Sequence, residues 1–561
     1  MPEPLPPSRL HRVLIRLFGV GAGVLLALVL LAAALPVLVD PSPYRLPLEQ
    51  ALSQATGMVA SLEQLEVRSP LRHWGQPALV ARLRLVEPSS TEVALAAPQL
   101  AVRLALRPLL RGQLQPSQIT IEGANLLLHR HVDGLWNWQP LLNHLNETPG
   151  QPTALECLNT TLTLVDDTTI TANRRTPATY RLTQTHLHLA KLGASGSPLK
   201  LDAQFLGEQE PVPLHLQGKV AWNGEVDVQL RATGLRPQRF RPYWQPWLGL
   251  RELDAASDLN WHLSGRWPEG LSIVGSTQLQ DLNWQWSTIW GPDPFHLDEL
   301  KLDVNGLFGP DQVQLQRLTL TATDWAALAT GRIQTLEPNR NPQVALEIVT
   351  SWLDPYRARH SLPLAAVPEP YRGLLQTASG QGDMRSELTL QGHLSKPQIE
   401  GIVEFNHLAI ASPELARPID AVDGQVLLKD GQLKFRDLRL RLSDSALVLS
   451  GQLNSERVQV QVQGQGVQLV QLQALLASKS LQALRNQLPI QPSLEGLADL
   501  NLQVQGTLAA LEIKGEVALI EAMLHPGALQ GEVQGEAQTV EFSPPVAEPS
   551  SLFSPRPPLL Q

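Results

Sequence analysis

The sequence predicts a mainly β protein: an N-terminal transmembrane helix, then a repetitive antiparallel sheet with a few short helices. Three observations predict it. Apolar and polar residues alternate through many short stretches, the period-2 signal of a strand with one dry and one wet face. Glycines recur at matched spacings in three hairpin-like segments. One long uncharged run stands near the N-terminus, and the chain has no second run of that kind.

The uncharged run comes first. Leu17–Val39 holds 23 residues without a charge. That length spans a hydrocarbon core of about 30 Å as a helix. Arg9, Arg12 and Arg16 precede it, and only Arg45 is basic in the twenty residues after it. The positive-inside rule therefore keeps the N-terminus in the cytoplasm and sends the body across the membrane. A cleaved signal peptide is the competing reading, since Ala32-Ala33-Ala34 loosely resembles a cleavage site. The run is longer than the roughly 7–15 apolar residues of a signal peptide, which favours the anchor.

Next, Leu48, Ala51, Leu52 and Ala55 form an i, i+3, i+4, i+7 stripe ended by Gly57, so a short amphipathic helix is expected. Strand-like pieces follow, among them QITIEGANLLLHR, LKLDAQFLG, QLKFRDLRLRL and VQVQVQGQG. Three of the later segments echo one another. Gly265, Gly392 and Gly506 align, as do Gly275, Gly401 and Gly515, with Ile273, Ile399 and Ile513 beside the second set. A short helix is expected before each hairpin, at Pro242–Leu253, Trp352–Leu375 and Gln468–Leu488. This is an internal repeat of about 115–125 residues. Repetition implies a stacked, elongated array. The resulting organisation is a basic N-terminus (1–16), an anchor (17–39) and a juxtamembrane helix (40–57). An N-terminal β module (58–250) and β-repeats at 251–391, 392–505 and, in part, 506–542 follow. The tail 543–561 has six prolines in nineteen residues and is expected to be disordered.

Composition narrows the function. Charged residues make up 17% of the 561, against about 25% in an average domain. The net charge of -9 and the lack of a basic run argue against nucleic acid as a partner. The single cysteine, Cys157, excludes an intrachain disulfide and a cysteine metal cluster. His129 and His131, and again His186 and His188, sit two apart and so share a strand face. Neither pair has a third ligand at a characteristic spacing, so both read as ordinary histidines and no metal or other cofactor is expected. Asp166 and Asp167 are adjacent, so they would face opposite sides of a strand, and a turn at a strand end is the better reading. Nucleophile elbow, phosphate loop and HExxH motifs are missing, so an enzyme is not expected. Ten of the thirteen tryptophans lie between Trp222 and Trp352. They suit packing between sheet and short helices, or the rim of an apolar surface.

Two stretches carry a resemblance. LEQALSQATGMVASLEQLEV after a single membrane helix is similar to the start of AsmA-like proteins, and so is LRPLLRGQLQPSQITIEGANLLLHRHVDGLWNW. The segment LRATGLRPQRFRPYWQPWLGLRELDAASDLNWHLSG resembles the YhdP branch of that family, which is allied to TamB and to bridge-like lipid-transfer proteins. The resemblance implies a long twisted β-sheet curled into an open apolar groove. It also implies an inner-membrane anchor, a periplasmic body and phospholipid movement toward the outer membrane. The groove would be lined by Leu388, Leu390, Ile399, Val403 and Phe405 in one hairpin, and by Leu502, Val504, Ile513, Val517 and Leu519 in another. Gly401 and Gly515, on the same register, would let strands bend and leave space. A closed sandwich explains the alternation equally well. A non-enzymatic envelope scaffold, its groove filled by side chains, is the alternative function. Phospholipid and the inner membrane are the expected partners, with an outer-membrane or periplasmic protein left open.

Overall fold

Why so many short alternating stretches find partners is visible in a computed structural model of the chain. It describes residues 41–542 apart from several breaks, the longest at 69–77, 144–152, 286–293, 335–341, 362–375, 478–493 and 525–538. The segments 1–40 and 543–561 lie outside the described residues, and with them Arg9, Arg12, Arg16, the expected anchor and the Pro-rich tail. Among the described residues no helix is long and apolar enough to cross a membrane. The protein is mainly β, with few helices. The chain divides into two units. One comprises 1–285, 298–318 and 332–342; the other comprises 286–297, 319–331 and 343–561.

The first unit opens with helix α1, Arg45–Thr56, closed by Gly57 in the left-handed conformation at φ +68°. Its expected stripe is used: Leu48 and Leu52 pack on a cluster built from Met58, Leu62, Leu83, Leu85, Leu95 and Leu100. Strands β1 (Val59–Arg68), β2 (Ala78–Val86) and β3 (Val93–Leu104) pair antiparallel in sequence order. The other side of β1 faces α1. The Leu62 amide donates to Glu49 Oε1 at 2.7 Å, and the Ala60 amide to Ser53 Oγ at 3.0 Å.

Next come β4 (Pro116–Glu122), β5 (Asn125–Arg130) and β6 (Thr153–Asp166). β4 and β5 form one line broken at Gly123, whose φ of +66° turns the chain. Both pair β6 in parallel, through Ile121↔Cys157 and Leu128↔Leu164. Here the structure departs from the expected antiparallel order. The chain after Arg130 returns to the same end before β6 begins, so the link is a crossover and not a hairpin turn. Cys157 is buried on β6, and its thiol is pushed up to about 11 by burial and by Glu156.

A two-strand ribbon, β7 (Ile170–Thr171) and β8 (Arg174–Arg175), precedes a regular antiparallel ladder. The ladder is β9 (Ala178–Leu192), β10 (Ser197–Leu206), β11 (Val212–Val220), β12 (Glu225–Leu235), β13 (Glu252–Arg266) and β14 (Gly270–Gln285). Helix α2, Arg241–Leu248, sits between β12 and β13; it overlaps the expected window Pro242–Leu253, whose last two residues begin β13. Tyr243 of α2 donates to Asp166 Oδ2 at 2.8 Å. Burial pushes the Asp166 pKa up, but bonds from the Thr168 hydroxyl and amide, from Tyr243 and the charge of Arg130 outweigh it, so the net shift is downward. The aspartate is therefore held as an anion that pins α2 to the end of β6. Trp244 closes the same corner by donating to the Pro237 carbonyl at 2.8 Å.

β15 (Phe295–Phe308), β16 (Gln312–Ala322) and β17 (Ala326–Gln334) are shared out between the units. The second unit then carries β18 (Gln343–Thr350), β19 (Asp383–His393), β20 (Gln398–Asn406), β21 (Ala421–Lys429), β22 (Gln432–Leu442), β23 (Ser445–Leu453) and β24 (Val458–Gln468). After helix α3, Leu469–Leu476, come β25 (Leu494–Thr507), β26 (Ala510–Leu524) and β27 (Thr539–Phe542). From β18 to β27 each strand pairs antiparallel with the next.

The aligned glycines occupy one register. Gly275 faces Trp261, Gly401 faces Leu388, and Gly515 faces Leu502 across their hairpins. Bulges interrupt the ladders where non-glycine residues take positive φ, among them Gln64, Asn159, Asp281 and Asp437. An extra residue at such a place sharpens strand twist.

Candidate functional site

Directly opposed residues of neighbouring strands share a face, so the register can be followed across the second unit. One row runs Ser386, Val403, Val426, Phe435, Gly451, Val460, Val504, Ile513. A parallel row runs Ile348, Leu388, Gly401, Leu428, Leu433, Leu453, Val458, Gly506. Leu390 faces Ile399 in the next row out, and Met384 faces Phe405. A single face is therefore apolar across eight strands, and the other face is mainly polar, with Ile402 and Leu427 as exceptions. Glu404, Gln425 and Arg436 form one of its rows, with the Gln425 amide donating to Glu404 Oε1 at 2.6 Å. Gln461 donates to Asn501 Oδ1 at 3.1 Å in another.

The ten proposed lining residues share this face but not one environment. Leu388, Leu390, Val403 and Phe405 are half-buried, and Ile399 is 38% exposed. That is what an apolar face open to solvent looks like. Leu502, Ile513 and Val517 are instead buried, at 5%, 9% and 6% exposure. They join Leu442, Leu447, Val467 and Leu500 in a core that also takes Leu469, Leu472 and Leu475 from α3. Val504 and Leu519 pack on its margin. The end of the face near β24–β26 is thus filled by protein, and the expected open groove does not extend over those strands. The signal for this lay in the sequence: Leu469, Leu472 and Leu475 are spaced for one side of a helix. What it lacked was the address of that side.

Gly401 and Gly515 have φ of +153° and +146°. A Cβ at either would meet a partner-strand carbonyl oxygen at 2.1 Å, that of Glu387 or of Asn501. These glycines are needed for close approach of two strands, in addition to leaving room on the apolar side. A hollow of about 670 Å3 lies on the polar side instead, lined by Lys434, Arg436, Gln461, Gln503 and Lys514 with Gly451 and Gly515. Its lining suits water or polar groups and not acyl chains.

The histidine pairs also separate. His186 Nε2 lies 3.1 Å from Asn159 Oδ1 on an exposed surface. His129 and His131 are drawn into a carboxylate cluster. His131 Nε2 is 2.9 Å from Glu87 Oε1, and His129 Nε2 is 2.8 Å from Asp167 Oδ2. Asp166 and Asp167 point apart as expected, the first to Tyr243 and the second to His129. No spacing rule reveals Glu87 as a neighbour of His131, because the contact depends on how the end of β2 stands against the end of β5. Trp261 donates to Thr277 Oγ1 at 2.9 Å between strands, and Trp352 is 46% exposed, so the tryptophans serve more than one purpose.

Fold and face together define a class: a protein of long antiparallel β-ladders with one apolar and one polar side. Residues 15–202 match the model of the AsmA family. The match covers the strands from β1 into β10. No curated protein matches the chain, and no solved structure does.

Proposed function

We propose that the chain is anchored in the bacterial inner membrane by Leu17–Val39 and carries phospholipid acyl chains along its apolar β face toward the outer membrane. The observation that carries this reading is the pair of apolar rows through Val403 and Gly401, continuous over β19–β24 and half-open to solvent in the β19–β20 hairpin. Acyl chains require a continuous apolar track and no specific ligand pair. The AsmA match over residues 15–202 supports an envelope role in lipid transport or assembly. Photocrosslinkers placed at 403 and 405 should label phospholipid in cells, and crosslinkers at 404 should label little. Equal labelling at all three positions, or none, would remove the lipid reading.

A second reading has its own observation. α3 fills the face over β24–β26 with Leu469, Leu472 and Leu475. An envelope scaffold whose apolar face is packed by its own helices would look like this throughout. The two readings diverge at β19–β20, where the scaffold has no use for an open apolar strip.

The topology is tested separately. A reporter active only outside the cytoplasm should be active when fused after Gln139 and silent when fused after Arg9. Activity after Arg9, or a mature chain beginning near Leu35, would refute the anchored orientation drawn from Arg9, Arg12 and Arg16.

A further inference from the structure

We infer that Glu87, His129 and His131 form a binding site for one divalent transition-metal ion of the zinc type. The three residues come from separate places: the end of β2, the body of β5, and the loop that follows β5. Their ligand atoms all lie within 4.8 Å of one another. Donors around a tetrahedral ion with bonds of about 2.0–2.1 Å stand roughly 3.4 Å apart. Small side-chain rotations therefore close the set. Two imidazoles and one carboxylate suit zinc or its neighbours in the transition series and not calcium or magnesium.

The strongest support is the state of His129. Its Nε2 lies 2.8 Å from Asp167 Oδ2. A carboxylate only accepts, so Nε2 carries the hydrogen. In the neutral ring Nδ1 is then a bare lone pair. That atom is buried and makes no hydrogen bond. Glu92 Oε2 lies 3.4 Å from it. A proton or a metal ion at Nδ1 would relieve that contact. A proton on Nδ1 would join His129 to Glu92 and no further. A metal ion satisfies His129 Nδ1, His131 Nε2 and Glu87 together, which explains why three donors from three places converge. The two imidazole rings lie side by side, with centroids 4.3 Å apart and planes 42° from parallel. Asp167 would act as the outer carboxylate that orients a ligating histidine. The surrounding backbone is fixed: the His129 amide donates to Asn137 Oδ1 at 3.0 Å, and the Asp167 amide to the Arg130 carbonyl at 2.9 Å.

The test uses the full-length chain in detergent, with its affinity tag removed and metal stripped by chelator. Cobalt, and zinc by competition, are titrated in. The parent should bind close to one ion per chain, with a ligand-field band from cobalt and a rise in melting temperature with zinc. Glu87→Gln and His131→Gln should each weaken binding at least tenfold. Asp167→Asn should weaken it by about ten- to a hundredfold. The double variant His186→Gln/His188→Gln should bind like the parent. Metal-free melting of every variant separates lost ligands from lost fold. Glu87→Gln keeps the shape of the side chain, so it supplies a folded comparison. No saturable binding by the parent would overturn the inference and leave His129 as a histidine held between Asp167 and Glu92. Binding unchanged in both Glu87→Gln and His131→Gln would overturn it equally.

Discussion

Val517→Arg should unfold the β24–β26 end of the second unit, and Val403→Arg should not. Both positions lie on the same apolar face and both substitutions add the same charge. The difference is cover. Val517 is packed with Leu469, Leu472 and Leu475 around it and is 6% exposed. A guanidinium there has no partner, and an uncompensated buried charge costs about 3–5 kcal/mol. Val403 is half-buried on an open stretch. An arginine there can lay its methylene stem along the face and carry its charge to water. Hydrogen exchange on the full-length chain in detergent checks this. Amides of β24–β26 should lose protection in the first variant, and amides of β19–β20 should keep it in the second. Unfolding of both would mean that the face is closed throughout, and would favour the scaffold. The same Val403→Arg chain should lose lipid crosslinking at 405 while remaining folded.

The second large effect is expected from Gly515→Ala. Its new Cβ would stand 2.1 Å from the Asn501 carbonyl oxygen and 2.8 Å from Leu502 Cα. Both are backbone atoms, so no side chain can swing away. The φ of +146° is also one that alanine resists, and such strain alone costs on the order of 1–3 kcal/mol. Overlap adds to that figure, and the β25–β26 ladder has to open. Gly466→Ala is the comparison. Gly466 has φ +57° but nothing within 4 Å of its Cβ position, so only the left-handed penalty of roughly 1–2 kcal/mol remains. The first variant should melt several degrees below the second. Equal melting temperatures would show that the hairpin relaxes around the methyl group.

Features whose cause is local could be read from the sequence. Alternation in Leu388–Leu390 and Ile399–Phe405 sorted the side chains onto two faces, because a strand offers only two sides. The matched glycines Gly275, Gly401 and Gly515 marked equivalent places in three hairpins, because close strand approach there leaves no room for a Cβ. Leu48 and Leu52 named the buried stripe of α1 for the same reason. Whatever depends on a return path was illegible. The chain from β5 to β6 runs as a crossover, and nothing in its residues separates that from a long hairpin loop. α3 was expected as a helix, but only the folded chain shows that it lies over Leu502, Ile513 and Val517. Glu87 meets His131 across a gap of 44 positions, set by a turn, a break at Gly123 and a parallel register. No pattern in one sequence records such a sum.

The contact between α1 and β1 has a consequence for growth of the ladder. Glu49 and Ser53 occupy amides that a further strand would need, so new hairpins have no foothold beside β1. On this geometry a longer ladder grows by hairpins added after β1, each meeting only its immediate neighbours. Residues 15–202, which match the AsmA family model, include this opening contact.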